Sequence, residues 1–173
     1  MNKDEQKSSI EKKILNELLK NCRENLDEIG EKCGCSRYKV GRVIKKLEES
    51  KTILGYSAII DPRKLNLKYY ILLIKRTPIP LTDSIIKFVC KGKFSDILPK
   101  IDVDIIDSMY VNGYYDFIIT FTTDSIEKAK ELCNRILESY SPYIEKTELI
   151  EMVLPFRLER FRVYHPEEKS KIL

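Results

Sequence analysis

The sequence predicts an α+β protein in which an N-terminal winged helix-turn-helix is followed by a ferredoxin-like βαββαβ domain. Two patterns lead to this fold class. Over residues 8–50 apolar side chains recur at the spacing of three amphipathic helices, with a glycine between the second and the third. Over 67–155 the pattern changes to strand, helix, strand, strand, helix, strand, which is the order of an antiparallel sheet carrying both helices on one face.

The 173 residues are enough for two small domains, each with its own core. Asp61-Pro62 interrupts an apolar run and favours a linker at that point. The expected segments are a helix-turn-helix domain over 1–60, a linker over 61–66, a ferredoxin-like domain over 67–155 and a C-terminal extension over 156–173.

Polar residues mark where the three N-terminal helices begin. Ser8 and Glu11 form a capping box that opens the first helix. The second begins after Asn25, with Glu28 three residues on, and the third begins after Ser36. Short helices with caps this close in sequence leave room only for a tight turn between them.

Two glycines and two apolar stripes complete the helix-turn-helix pattern. Gly34 lies where the chain must turn sharply, and Gly30 is the small residue that lets the third helix cross close to the second. The apolar residues at helical spacing are Leu26, Ile29 and Cys33 on the second helix and Val40, Val43, Ile44 and Leu47 on the third.

The third helix also carries a cationic face with one aromatic side chain. A run of charges more often means a solvated surface, but the turn glycine, the caps and the apolar register together favour a recognition helix for the DNA major groove. The formal net charge is only +4, so any DNA contact must be local. The predicted DNA-binding residues are Ser36, Arg37, Tyr38, Lys39, Arg42, Lys45 and Lys46.

Strand and helix signals alternate after the third helix. Residues 53–60 (ILGYSAII) are apolar and β-branched and predict a short strand or wing. Residues 67–76 predict the first strand of the second domain, after which Thr82 and Asp83 open an amphipathic helix. We expect the next two strands at 103–111 and 114–121.

The second helix of this domain is expected after a capping box formed by Asp124 and Glu127, and the last strand at 147–154. The segment after Pro155 fits an extra edge strand or a short helix, and the pattern does not choose between them. The polar end of the chain is expected to fray. A sheet with helices on one face leaves its other face uncovered, and a second copy of the chain is the simplest cover, so we expect at least a dimer.

This order of domains resembles the Lrp/AsnC (feast/famine) family of transcription regulators over about residues 8 to 155. The resemblance implies a dimer joined mainly through the C-terminal domains, often assembled into an octamer, that binds palindromic promoter DNA and in many members senses an amino acid. Lys51 stands where the family commonly has a glycine, and the segment 94–108 is long for the family. The residues that carry the resemblance are ILNELLKN (14–21), LDEIGEKCGCS (26–36), Val40, Arg42, Val43, Leu47, Glu48, ILGYSAIID (53–61) and GYYDFIIT (113–120), which is similar to the family's Gly-x-Tyr-Asp segment.

The Asn112-Gly113 pair predicts a two-residue hairpin turn, which places Asp116 opposite Met109. A carboxylate beside the turn could accept the ammonium of an amino acid, while backbone groups around Gly113 could bind its carboxylate. Gly113, Tyr115 and Asp116 are therefore the candidate effector-binding residues. The alternative is that Gly113 is only a turn residue with positive φ, Tyr115 packs in the core and Asp116 is solvated.

We expect no cofactor, metal or catalytic group. Cys33 and Cys35 do not have the two-residue spacing of a zinc knuckle, and both fall at apolar positions. The single histidine, His165, has no partner for acid–base work. Five cysteines without a secretion signal indicate reduced thiols, and no apolar run is long enough to cross a bilayer, so we expect a cytoplasmic protein that does not contact membranes.

Two other function classes share parts of the pattern. A protein-binding winged helix would use the basic face on an acidic partner and would leave no defined DNA footprint. Sirohaem decarboxylases share the two-domain scaffold, but they carry a histidine-bearing strand motif where this chain reads VNGYYDFIITF (111–121). The preferred interpretation is a sequence-specific DNA-binding transcription regulator, not an enzyme, that is modulated by an amino acid.

Overall fold

Three helices build the N-terminal part of the protein: α1 (Lys3–Lys20), α2 (Leu26–Cys33) and α3 (Arg37–Glu49). The computed structural model describes residues 3–91 and 101–163, and for residues 3–8, 88 and 91 it describes the backbone alone. The chain forms two compact units, and the boundary between them lies between Ala58 and Ile59.

The predicted start of α1 at a Ser8 capping box is wrong. The helix already begins at Lys3, so Ser8 lies inside it. The segment before Ser8 holds charged and polar residues without glycine or proline, and nothing in it stops a helix that has formed further on. α2 and α3 begin where the sequence predicts, after Asn25 and Ser36.

A small apolar core holds the three helices together. Ile14 of α1, Ile29 of α2 and Val40 of α3 are fully buried in it. Cys33, Val43 and Leu47 are also buried, and Leu26 and Ile44 pack against the cluster. Both predicted apolar stripes are thereby confirmed.

The strand predicted as one possibility for 53–60 does not form. Residues 54–60 have no regular secondary structure, and Leu54 is 89% exposed. An extended segment becomes a strand only when its backbone finds a hydrogen-bonding partner, and no described strand pairs with this one. The predicted linker is ordered in part, because Pro62–Leu65 form a 3-10 turn in which Pro62 is buried.

The second unit contains a four-stranded antiparallel sheet. The bounds are β1 (Lys68–Arg76), α4 (Asp83–Lys91), β2 (Asp104–Tyr110), β3 (Phe117–Thr123), α5 (Ile126–Tyr140), a 3-10 turn (Ser141–Tyr143) and β4 (Ile144–Met152). The strand order β2-β3-β1-β4 confirms the ferredoxin-like plan.

One face of this sheet carries the core. Tyr70, Leu72 and Phe121 are buried there, and α5 covers them with Leu132 and Ile136. The other face presents alternate residues of the same strands, among them Leu73 opposite Ile118 and Ile71 opposite Ile150. Ile150 is exposed, so this second face is partly apolar and open in the single chain.

The predicted two-residue turn at Asn112-Gly113 is wrong. Met109 pairs with Ile118 rather than with Asp116. The N–H of Val111 donates to the carbonyl of Asp116 at 2.8 Å, so the loop between those two residues holds four residues, 112–115. β3 consequently begins at Phe117, three residues later than predicted.

Two further details differ from the sequence prediction. The N-cap of α5 is Ser125, whose hydroxyl accepts from the N–H of Lys128, whereas Asp124 forms an ion pair with the Lys128 ammonium at 2.7 Å. The segment after Pro155 forms a small hairpin of β5 (Arg157–Leu158) and β6 (Phe161–Arg162). His165 and the polar end lie outside the described residues.

Candidate nucleic-acid interface

The turn between α2 and α3 depends on two glycines. Gly34 ends α2 with φ +69°, in the left-handed region that side-chain-bearing residues avoid. Gly30 lies where α2 comes closest to the backbone of the turn, since a Cβ on it would stand 2.6 Å from the carbonyl oxygen of Cys35. Both predicted roles are confirmed, and together they fix the angle at which α3 leaves the turn.

Side-chain caps close the N-terminal ends of both helices. The Asn25 side chain accepts a hydrogen bond from the N–H of Glu28 at 2.9 Å. The Ser36 hydroxyl accepts from the N–H of Lys39 at 3.4 Å. Ser36, a predicted DNA-binding residue, thus has a structural role at the start of α3.

The outward face of α3 is the side opposite its apolar stripe. Val40, Val43 and Leu47 point inward and are buried. Tyr38, Arg42 and Lys45 recur at i, i+4 and i+7, so they share the opposite side of the helix. Tyr38 is 85% exposed although it is aromatic, and Arg42 and Lys45 are exposed as well.

Three of the predicted cations lie beside acids. Arg37 pairs with Asp27 in the first turn of α2 at 3.3 Å, and the Lys46 ammonium pairs with Glu11 of α1 at 2.7 Å. Lys45 lies 3.9 Å from Glu49. All are exposed pairs, which contribute little to stability and exchange readily.

Lys39 and Arg42 form no ion pair within the described part of the chain. Arg42 therefore combines exposure, a central position on the outward face and a free guanidinium. Glu11 could not be foreseen beside the cationic face from local patterns, because its partner Lys46 is 35 residues away in the chain.

The three candidate effector residues lie in or beside the β2–β3 loop. A carboxylate oxygen of Asp116 accepts from the Arg76 N–H at 2.8 Å and pairs with the Lys75 ammonium at 3.1 Å. The hydrogen bond from the Arg76 N–H lowers the pKa of Asp116, and the Lys75 ammonium lowers it by a smaller amount. The Tyr115 hydroxyl donates to the carboxylate of Glu148 on β4.

The alternative interpretation of these residues is wrong in all three respects. Gly113 has no positive φ, and Asp116 is partnered rather than merely solvated. Tyr115 is half-buried outside the core cluster of the sheet, with its hydroxyl on Glu148. Lys75, Arg76 and Glu148 could not be foreseen at this place, because the sheet register that brings them to the loop is not visible in local sequence patterns.

Within residues 3–91 and 101–163 no group of three or more His, Cys, Asp or Glu side chains is arranged to hold a metal ion. All five cysteines are free thiols, and burial raises the pKa of Cys133 to about 11. None of the described helices is long and apolar enough to cross a membrane.

Comparison with known proteins supports both halves of the architecture. A family profile described as winged helix-turn-helix DNA-binding matches residues 7–53. The HTH-type transcriptional regulator LrpB of Bacillus subtilis (strain 168) is 27% identical over 143 residues, which are 82% of this chain and 89% of LrpB.

Solved structures share the two-domain fold. The leucine response regulatory protein LrpA of Mycobacterium tuberculosis superposes with a TM-score of 0.65 at 20% identity, covering 90% of this chain and 98% of LrpA. The transcriptional regulator NMB0573 of Neisseria meningitidis, solved as an L-Met complex, gives a TM-score of 0.62 at 16% identity, with 91% and 93% of the two chains covered.

Proposed function

We propose that this chain, a DNA-binding transcription regulator of the Lrp/AsnC type, recognises its operator by placing α3 in the DNA major groove. The outward face of α3 carries the proposal. Tyr38, Arg42 and Lys45 share that face, and the buried stripe behind it is made by other residues of the helix. The face can therefore meet DNA without disturbing the packing of the N-terminal unit.

Each side chain has a role that follows from its chemistry. Arg42 is the candidate for base edges, because a free guanidinium can donate two parallel hydrogen bonds to guanine. Tyr38 offers an apolar ring for a thymine methyl group. Arg37, Lys45 and Lys46 are suited to phosphates, once phosphate oxygens replace the carboxylates beside them. Lys39, on the flank of the face, adds a second unpaired cation.

The test compares Arg42→Ala and Lys39→Ala with the wild type in gel-shift titrations. The duplex is one recovered by selection from a random pool. We expect a loss of affinity of roughly 10- to 100-fold for Arg42→Ala, since a base-reading pair contributes about 1–3 kcal/mol. Circular dichroism should show an intact fold, because neither residue belongs to the buried stripe.

Lys130→Ala is the matched control, since it removes an exposed cation from α5 in the other unit. Its affinity should equal that of the wild type. If Arg42→Ala and Lys39→Ala also bind normally, α3 is not the recognition helix. Binding with a shallow salt slope and no footprint would favour the protein-adaptor alternative. Lys45→Ala should flatten the slope of log affinity against log salt by about one unit.

We also propose that the chain forms at least a dimer through the uncovered face of its sheet. Such dimers can assemble further into an octamer. Half-buried Ile71, Leu73 and Ile118 and exposed Ile150 give this face its apolar character. Ile150→Glu in the full chain should produce monomers by light scattering. If instead Leu54→Glu dissociates the protein and Ile150→Glu does not, the interface lies in 54–60.

The effector proposal is that an amino acid binds near Gly113, Tyr115 and Asp116. The L-Met complex of NMB0573 supports it by analogy of fold. Asp116 is already paired with Lys75, so an amino acid would have to replace this ion pair with two new ones. Its ammonium would bind Asp116 and its carboxylate would bind Lys75. Thermal-shift screening of the common amino acids on wild type and Asp116→Ala tests this. Equal shifts in both proteins would contradict it.

A further inference from the structure

Gly41 lies in the middle of α3 and has no evident purpose in the fold. A Cβ on Gly41 would find one described atom within 4 Å, Cδ1 of Leu26 at 3.7 Å, which is an ordinary van der Waals contact. Its φ is not in the left-handed region. Gly30 and Gly34 differ in both respects, because one has no room for a side chain and the other requires positive φ.

A glycine inside a helix is unfavourable compared with alanine, since it loses more backbone freedom on folding. Gly41 therefore weakens α3, and neither its backbone conformation nor a close contact requires a glycine there. Since the fold would accept alanine at position 41, the glycine there points to a requirement that comes from a binding partner rather than from folding.

The neighbours of Gly41 on the helix surface show where that requirement lies. Tyr38 is three residues before it and Lys45 four residues after it, so both are adjacent on the helix surface, and Arg42 follows directly. The missing side chain leaves a notch at the edge of the outward face. Since the nearest atom across the notch belongs to Leu26, the notch is on the side of α3 that faces α2.

We infer that Gly41 is a close-approach position at which the backbone of α3 meets the sugar–phosphate wall of the major groove. This rests on the proposed function of α3. Without a side chain the helix lies closer to the DNA by roughly 1.5 Å, about one carbon–carbon bond. Tyr38 and Arg42 thereby reach the base edges. Because the notch lies at the edge of the outward face, on the side toward α2, the DNA that meets it is the sugar–phosphate wall rather than the floor of the groove, and the contact adds affinity for DNA of any sequence.

The test is Gly41→Ala in the full chain, with thermal unfolding and DNA titration measured on the same preparation. We expect the midpoint of unfolding to rise by about 4 °C, because alanine is the better helix former. We expect affinity to fall about tenfold or more, by the same factor on the selected duplex and on a base-substituted duplex. Arg42→Ala should instead lose more affinity on the selected duplex than on the substituted one.

Gly55→Ala is the matched glycine control, since a Cβ there meets nothing within 4 Å and the residue lies outside α3; it should bind DNA as the wild type does. If Gly41→Ala binds normally while Arg42→Ala binds weakly, the close-approach role is wrong and the recognition role of α3 stands. A lowered midpoint for Gly41→Ala would show that the fold itself needs this glycine, and would also overturn the inference. If the wild type binds no duplex, the proposed function fails and this inference fails with it.

Discussion

Replacing Gly30 by alanine tests the packing of α2 against the turn with a single methyl group. The added Cβ would stand 2.6 Å from the carbonyl oxygen of Cys35 and 3.5 Å from the backbone nitrogen of Arg37. Both neighbours are backbone atoms of the turn and of the start of α3, so no side chain can rotate away. The chain itself must shift, by about half an ångström or more, in a core that is closely packed.

The magnitude follows from two opposing terms. Forcing an extra carbon into a packed site costs about 1–3 kcal/mol, and here the displaced atoms are backbone, which favours the upper half of that range. Alanine in place of glycine in a helix returns up to about 1 kcal/mol. The net loss in the free energy of unfolding is then about 1–2 kcal/mol. For a unit of this size it corresponds to a midpoint lower by roughly 5–10 °C.

Thermal unfolding followed by circular dichroism measures this loss in the full chain. Gly41→Ala provides the matched comparison, because it makes the same chemical change in the neighbouring helix without a close contact and should raise the midpoint. The two variants therefore differ in sign. If Gly30→Ala leaves the midpoint unchanged or raises it, the close approach of α2 and the turn is not real. The assignment of Gly30 would then have to be abandoned.

Three further predictions follow from contacts described above. Glu11→Gln frees the Lys46 ammonium for a phosphate and removes a nearby negative charge, so DNA affinity in a gel shift should rise roughly threefold; an unchanged affinity would place Lys46 away from the DNA. Lys51 has φ +57°, and Lys51→Gly should raise the free energy of unfolding by about 0.5–1 kcal/mol in urea titrations, a decrease being the contrary result. The lowered pKa of Asp116 stabilises the fold above the carboxyl's usual pKa, and this contribution disappears as pH falls through the lowered value. The stability difference between wild type and Asp116→Asn should therefore narrow as pH falls below the usual carboxyl pKa of about 3.9, and it should vanish only below the lowered pKa of Asp116. A difference that stays constant with pH would mean that the Arg76 and Lys75 contacts do not act on the charge.

The helix-turn-helix was predictable because its determinants are local. The caps Asn25 and Ser36 act within three residues of their own positions, and Gly34 is selected by its own φ. Such signals need no knowledge of the rest of the chain. The core stripes followed from helical spacing, which also holds within one element.

The errors occurred where distant partners decide the conformation. Residues 54–60 have the composition of a strand, but composition does not provide the partner that a strand needs. Asn112-Gly113 is typical of a two-residue turn, yet Asp116 is fixed by its bonds to Lys75 and Arg76 on β1. Contacts across the sheet therefore outweighed the local turn preference.

The two sides of α3 serve different purposes. Its inward side is committed to the core, whereas Tyr38, Arg42 and Lys45 belong to neither core cluster. Exchanging these three side chains leaves the free energy of folding almost unchanged. If α3 reads the operator as proposed, operator preference can change over generations, one outward residue at a time, while the scaffold that presents these residues is kept.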